Sequence, residues 1–351
     1  MKIAIVPFKN FGLKNHLFTQ HEGSFEHDRK PYIYLKQYLE SHNIYLNTFD
    51  VTSLKDAELV IFFDLKISAL IKTLIYKKLK KSIYIQYEPP VVEPLNKPSN
   101  LKWISKIFKQ VLTWQDDLID NKIFSKFYYP IPSKNKENSI INFNEKKYIT
   151  TIIGCKSSNQ INELYSERVR AINFFQKKYS DFVFFGRGWD KSLFKSFNGE
   201  INSKIDVLKN FKFVICYENE ARINGLISEK IFDCFYANTL PVFLGAQNPS
   251  AYFPSEIYID KRNFDTYEEL DNYLSSIDEK EYNKRILSIQ KYLKSDRFQL
   301  FLKQNFAKTI HKSILIKSQN KEIKKLKQVF YLIKILVSQK INRLLNFIDD
   351  K

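Results

Sequence analysis

Glycine is scarce in this chain, with 8 among 351 residues, so any turn that contains one is informative. Cysteine is scarcer still: Cys155, Cys216 and Cys234 are too few and too far apart for a disulfide framework, and no CxxC pair marks a metal or redox site. A reducing compartment fits that usage. The 5 histidines form no zinc-like set, and His21 and His27 share a polar loop where solvation is the simplest fate. No Asp-x-Asp pair occurs anywhere, so the sequence requires no divalent cation, although a weak Mg or Mn dependence stays open. Long hydrophobic runs are also missing at the start. The opening MKIAIVPFKNFG carries an apolar run of only about five residues, too short for a secretory core or a membrane span, which predicts a cytoplasmic start. Negative charge is in deficit: 38 Asp+Glu face 56 Lys+Arg, for a formal net charge of +18. An acidic partner follows, whether a nucleotide diphosphate, a nucleic acid or an anionic membrane surface.

What is present is a globular composition, 44% hydrophobic over a length suited to about two domains. Short apolar runs alternate with helical stretches, the pattern of parallel β/α units. Strands are expected at Lys2–Val6, Ala57–Leu65, Ser82–Tyr87, Gln110–Trp114 and Phe127–Pro130, with a helix over Tyr32–His42. Ser133–Lys147 has linker composition. A second series then begins, with strands at Tyr148–Gly154, Phe182–Phe185, Phe211–Tyr217, Leu240–Gly245 and Ile257–Asp260, and helices at Ser166–Tyr179 and Ser228–Ala237. The expected organisation is an N-terminal Rossmann-like domain over 1–140, a second over 148–317 and a basic amphipathic tail over 318–351. Open α/β sheets bind ligands at the carboxyl ends of their strands, so a cleft between the halves is the default site.

In the tail, Val329, Leu332, Ile333, Leu336, Ile341, Leu344, Leu345 and Ile348 can form one broad face. Lys324, Lys325, Lys327, Lys334, Lys340 and Arg343 supply the basic complement. Such a helix can lie in a membrane interface or pack on the first domain.

The most informative stretch runs from Phe211 to Pro254. A buried strand ends in Glu218-Asn219, Gly225 frees the following turn, and Ser228 caps a helix burying Ile231, Phe232 and Phe235, with Lys230 in its first turn. A helix N-terminus with an adjacent ammonium suits a diphosphate, and Glu229 can accept hydrogen bonds from ribose or sugar hydroxyls. A Ser-Glu-Lys tripeptide alone is common, and in an arbitrary chain a solvated first helical turn explains it better, by roughly three to one.

The full order is less common: Tyr217-Glu218-Asn219, Ser228-Glu229-Lys230, then Pro241-Val242-Phe243-Leu244-Gly245. It resembles the glycosyltransferase family 10 signature of the α-1,3/α-1,4-fucosyltransferases, as do Tyr252-Phe253-Pro254, Tyr258-Ile259-Asp260 and Phe264 followed by the helix Tyr267–Ser275. The resemblance covers about residues 148–290 and is topological before that. Ser228 stands where the family has threonine, Leu226 where an aromatic residue is expected, and the gap from Asn219 to Ser228 is longer by one residue.

The resemblance implies an α/β protein with a GT-B-like pair of Rossmann-type domains and a C-terminal basic amphipathic helix. It also implies GDP-β-L-fucose as donor, inversion to an α-L-fucoside and no required cofactor. Asn219, Glu229 and Lys230, with Glu218 beside them, would hold the nucleotide sugar. An arginine of the helix before the second strand of this domain would contact the phosphates; spacing back from Gly186 favours Arg170, with Arg168 close behind and Arg187 and Ser228 as further candidates. The base matches Tyr87-Glu88-Pro89-Pro90, which assigns Glu88, with Glu93 as the alternative. The acceptor would be a hydroxyl of N-acetylglucosamine or glucose in a lipopolysaccharide O-antigen or similar glycan, modified on the inner face of the cytoplasmic membrane. Two other readings stand beside it: a GT-B enzyme using another nucleotide-linked sugar, and a basic non-enzymatic binding module. No nucleic-acid-binding pattern is present, and the lysines are spread rather than clustered.

Overall fold

The computed structural model describes residues 1–8, 12–19, 29–131, 141–317 and 325–349. The chain divides into two compact units, Met1–Pro132 with Leu300–Lys351, and Ser133–Gln299. His21, His27 and positions 133–140 of the expected linker lie outside the described residues.

The first unit begins with β1 (Lys2–Val6), α1 (Lys30–Glu40), β2 (Tyr45–Thr48), β3 (Leu59–Phe63), α2 (Ile67–Ile75), β4 (Ser82–Ile85), α3 (Pro98–Ile107), β5 (Gln110–Thr113) and β6 (Phe124–Lys126). These strands form one sheet in the order β2-β1-β3-β4-β5-β6, and every neighbouring pair is parallel. β3 reads Leu-Val-Ile-Phe-Phe without alternation because both of its faces are buried. The strand order reverses around β1, which has β2 on one side and β3 on the other, so the carboxyl ends of β1 and β3 flank a topological switch point.

Two expectations need correction here. β2 was not anticipated, since Tyr-Leu-Asn-Thr is short and half polar. The last strand lies at Phe124–Lys126 and not at Phe127–Pro130. The reason is Asp120, whose Oδ1 accepts the backbone N–H groups of Lys122, Ile123 and Phe124 and turns the chain into the sheet earlier. Phe127 is buried as a core side chain beyond the strand.

The second unit contains β7 (Lys147–Thr150), α4 (Tyr165–Lys178), α5 (Lys204–Leu208), β8 (Phe211–Tyr217), α6 (Glu229–Tyr236), β9 (Leu240–Leu244), β10 (Ile259–Asp260), α7 (Tyr267–Ser276), α8 (Glu279–Tyr292) and α9 (Asp296–Gln299). Its sheet runs β10-β9-β8-β7, again parallel throughout. The strand expected at Phe182–Phe185 is absent from that sheet; this segment makes only isolated bridges, Ile152 with Phe185 and Phe184 with Phe197. Gly186 ends it at φ +150°, where a Cβ would stand 1.7 Å from the Ile153 carbonyl oxygen. No side chain fits there.

After α9 the chain returns to the first unit through α10 (Lys303–Leu315) and α11 (Lys325–Asp349). The second domain expected to reach residue 317 therefore differs from the compact unit, which stops at Gln299. Packing explains the return. Phe306 of α10 meets Tyr32 of α1 edge-on at 5.9 Å, and Lys109 donates to the Ser313 and Ile314 carbonyls at 3.0 and 2.8 Å, a cation on the carboxyl end of α10.

α11 lies against α3, with Leu332 and Ile335 buried in the cluster that includes Leu101, Ile104 and Ile107. The expected single face divides: Ile333 is exposed while Leu332 is buried, and it joins Leu326, Phe330 and Val337 in an exposed stripe. Lys334 sits 5.3 Å from the Trp103 ring. Lys324 and the rest of 318–324 lie outside the described residues, as do the side chains of Lys325, Lys340, Ile341, Arg343, Leu344, Leu345 and Ile348. Among the described residues, no helix is long and apolar enough to cross a membrane.

Packing of α11 predicts that Ile335→Ala lowers the unfolding free energy by about 2–4 kcal/mol in a urea titration. A loss below about 0.5 kcal/mol would be that of a solvent-facing helix.

Candidate functional site

The three motif blocks of the second unit converge on one carboxylate. Glu218 follows β8 directly, its backbone N–H bonds the Leu244 carbonyl at 2.8 Å, and its side chain is only 2% exposed. Oε1 accepts the Ser228 backbone N–H at 2.9 Å, and the Ser228 hydroxyl lies 2.7 and 2.8 Å from the two carboxylate oxygens. Lys230 Nζ completes the set at 3.1 Å from Oε2 and 3.0 Å from Ser228 Oγ. Gly245 closes it from the other side, because a Cβ there would stand 2.6 Å from Glu218 Cγ. The motif glycine is thus required by the motif glutamate.

This geometry revises the expected role of Glu218. All of its hydrogen bonds named above are internal, and a side chain so buried has no surface to offer a ligand, so Glu218 holds Ser228 and Lys230 in place. Ser228 caps α6 as expected, its Oγ accepting the Lys230 N–H at 3.4 Å. Since Glu218 occupies the Ser228 amide and Ser228 the Lys230 amide, an anion at this helix start would be met chiefly by the Lys230 ammonium, which remains 25% exposed. Burial alone would lower the Lys230 pKa, but Glu218 and then Glu229 outweigh it and raise it above the ordinary lysine range.

Sequence reading missed a second ammonium. Lys204, at the start of α5, lies 3.0 Å from Asp233 and 3.8 Å from Glu229; burial opposes its charge, and Asp233 and Glu229 more than restore it. Its only sequence signal was Ser203 capping a short helix. Glu229 therefore stands between two lysines, with Lys230 at 4.0 Å, and is half-buried rather than solvated.

The arginines exchange rank. Arg170, favoured by spacing, is 68% exposed and pairs with Glu167 at 3.0 Å on its own helix. Arg168 is buried, and its Nη2 donates to the Tyr217 carbonyl at 2.8 Å and to Asn219 Oδ1 at 2.9 Å, so it joins Asn219 at the end of β8. Its Nε has no hydrogen-bond partner among the described residues, and burial lowers its pKa against the charges of Tyr165 and Glu218. The helical period explains the exchange: two residues apart on α4 means opposite faces, and only Arg168 faces the sheet. Arg187 is exposed and bonds Glu200 at 2.8 Å. Arg170 instead lines a cleft of about 320 Å³ with Arg222, Arg262, Gln247 and Gly245, beyond the carboxyl end of β9.

In the first unit, Glu88 is half-buried just past β4. Its backbone N–H donates to Asp64 Oδ2 at 3.1 Å and its carbonyl accepts from Asn96 Nδ2 at 2.8 Å. Glu93 caps the turn Pro94–Asn96, accepting the Leu95 N–H at 3.2 Å. Asp64 and Asn96 went unnoticed in the sequence; the only signal was an aspartate closing the apolar run Leu59–Phe63. Among the described residues, no group of three His, Cys, Asp or Glu side chains could hold a metal ion.

The second-unit arrangement therefore presents the partly exposed ammonium groups of Lys230 and Lys204, held by Glu218 and by Asp233 with Glu229, while the buried Arg168 fixes Asn219 beside them; Asn219 and Glu229 can bond hydroxyls. The first-unit arrangement holds the half-buried Glu88 by its backbone on a stiff turn. A family model described as glycosyltransferase family 10 (fucosyltransferase), C-terminal region, matches residues 144–328. The α-(1,3)-fucosyltransferase FucT of Helicobacter pylori is 26% identical over 74 residues, 21% of this chain and 15% of that protein. The 4-galactosyl-N-acetylglucosaminide 3-α-L-fucosyltransferase 9 of Mus musculus is 32% identical over 98 residues, 27% of this chain and 26% of its own. The aligned region thus spans about a quarter or less of these relatives' length. Among solved structures, an α1,3-fucosyltransferase with GDP-fucose superposes at a TM-score of 0.59 and 14% identity over 92% of each chain. A DNA-modifying β-glucosyltransferase does so at 0.51 and 13% identity, over 90% of this chain and all of its own. These likenesses give the fold, an α/β architecture of parallel sheets shared with GT-B glycosyltransferases.

Removing the buried Glu218 carboxylate leaves a partly buried ammonium and a capping hydroxyl without their partner, so Glu218→Ala should cost about 2–4 kcal/mol of stability, read by chemical denaturation. For the arginines, calorimetry with GDP should find Arg168→Ala weakened by about tenfold or more and Arg170→Ala within about twofold of wild type. The reverse order would restore Arg170 as the phosphate contact.

Proposed function

This chain belongs to glycosyltransferase family 10, and from that membership we propose that it is an inverting fucosyltransferase that moves L-fucose from GDP-β-L-fucose to a glycan hydroxyl, in α-1,3 or α-1,4 linkage. The observation that carries the proposal is the Glu218-held group at the end of β8, where Lys230, Arg168 and Asn219 come together.

The chemistry follows from the charges. The bond between the fucose anomeric carbon and the β-phosphate oxygen breaks with its electron pair on GDP, and Lys230 and Lys204, with the buried Arg168 charge behind Asn219, stabilise that growing charge more in the transition state than in the ground state. Asn219 and Glu229 orient the donor through its hydroxyls. The anomeric carbon becomes oxocarbenium-like, and the acceptor oxygen attacks the face opposite GDP, inverting β to α. Glu88 takes the acceptor proton, with Glu93 as the alternative base. No metal is needed for this scheme, since fixed cations supply the positive charge; a weak Mg or Mn effect would act on the diphosphate from solution.

The acceptor we favour is N-acetylglucosamine or glucose in a lipopolysaccharide O-antigen or similar surface glycan. Peripheral attachment to the inner face of the cytoplasmic membrane is supported by the exposed Leu326, Phe330, Ile333 and Val337 of α11, with Lys327 and Lys334 on the same helix.

Purified protein should release GDP from GDP-fucose when N-acetyllactosamine is added, and not from GDP-mannose or UDP-galactose; consumption of another donor would move the assignment to that sugar. Glu88→Gln should cut acceptor-stimulated turnover by about 100-fold or more while GDP still binds. Unchanged turnover would reject Glu88 as the base. Turnover should persist in excess EDTA.

A further inference from the structure

Asp64 occupies an unusual position. It follows β3 at φ +53° and is buried beside the switch point of the first sheet. Its Oδ1 accepts the Tyr87 N–H at 3.0 Å and Asn96 Nδ2 at 2.7 Å, with the Tyr84 hydroxyl at 3.4 Å, and its Oδ2 accepts the Glu88 N–H at 3.1 Å. Asn96 Nδ2 also donates to the Glu88 carbonyl. Both backbone groups of Glu88 are therefore held, one by Asp64 and one by the amide that Asp64 orients. Pro89 and Pro90 stiffen the chain just beyond.

The setting is costly for a carboxylate. No cation forms an ion pair with Asp64 among the described residues; the titratable groups that face it are Tyr32 of α1, Tyr84 of β4, and Tyr87 and Glu88 after it, with Glu93 facing Tyr84. A residue kept in left-handed backbone, buried and hydrogen-bonded but without a counter-ion, points to a role beyond packing.

We propose that Asp64 is the positioning residue of the transfer reaction, its carboxylate gathering the Tyr87 and Glu88 amides so that the Glu88 side chain is presented to the acceptor hydroxyl from a fixed origin. This rests on Glu88 being the base. Protonation of Asp64 removes acceptor capacity and weakens the clamp. Burial, opposed by the Tyr87 and Asn96 bonds and reinforced by the Glu88 charge, pushes its pKa up to about 7. Turnover then falls as pH drops through about 7, well above the ordinary carboxylate range.

The test is the pH profile of kcat/KM for GDP-fucose transfer to N-acetyllactosamine. Asp64→Asn should lower kcat by about 10- to 100-fold, leave the KM for GDP-fucose unchanged and abolish the inflection near neutrality. Asn96→Ala deletes a donor that favours the charged form, so its inflection should move to higher pH. A folded Asp64→Asn protein that keeps the wild-type inflection, or an Asn96→Ala protein whose inflection stays put, overturns the proposal. If Asp64→Asn does not fold, Asn96→Ala alone decides. Glu88→Gln separates the two claims: loss of turnover there with a wild-type profile in Asp64→Asn rejects only the positioning role, whereas full turnover in Glu88→Gln removes the base on which it rests.

Discussion

The buried Glu218 carboxylate is the constraint around which the second unit is arranged. A negative charge removed from water at the end of a parallel strand must be met by donors, and the chain meets it with the Ser228 amide, the Ser228 hydroxyl and the Lys230 ammonium. Each partner carries a further duty: Ser228 starts α6, and Lys230 presents its charge at the surface. Gly245 is confined to glycine by the same side chain from the β9 side. Four positions spread over 28 residues of sequence are thus one electrostatic and steric unit.

The two units use a similar device with different compensation. In each, an acidic residue just past a buried parallel strand is drawn inward and organises the loops around it. Glu218 has Lys230 as counter-ion and Arg168 nearby, and the Glu218 charge holds the Lys230 pKa above the ordinary lysine range. Asp64 has backbone and amide donors but no cation, and burial dominates its protonation. The first arrangement suits permanent charge recognition. The second suits a group whose charge changes near neutral pH.

Family-type motifs and the apolar strands were legible in the sequence because both are local. Positions 3–6, 111–113 and 213–217 are continuous apolar or β-branched runs, and a strand buried on both faces shows no other pattern. Ser228 as cap and Lys230 in the first turn follow from residue chemistry and helix geometry alone. β2 and β6 escaped because four- and three-residue strands gain their hydrogen bonds from neighbours distant in sequence, and Asp120 decides where β6 begins. α10 could not be assigned to the first unit in advance, since an amphipathic helix does not specify which apolar surface covers it.

By itself the sequence determined the α/β class, the parallel strands, the capped helix with its lysine and the order of motifs, because each depends on residues within a few positions of one another. Tertiary structure alone decided which arginine of α4 reaches Asn219, that Glu218 holds the site rather than touching a ligand, and that Asp64 and Asn96 grip the backbone of Glu88. Those outcomes depend on which face of an element meets which neighbour, and on burial that only the closed fold imposes.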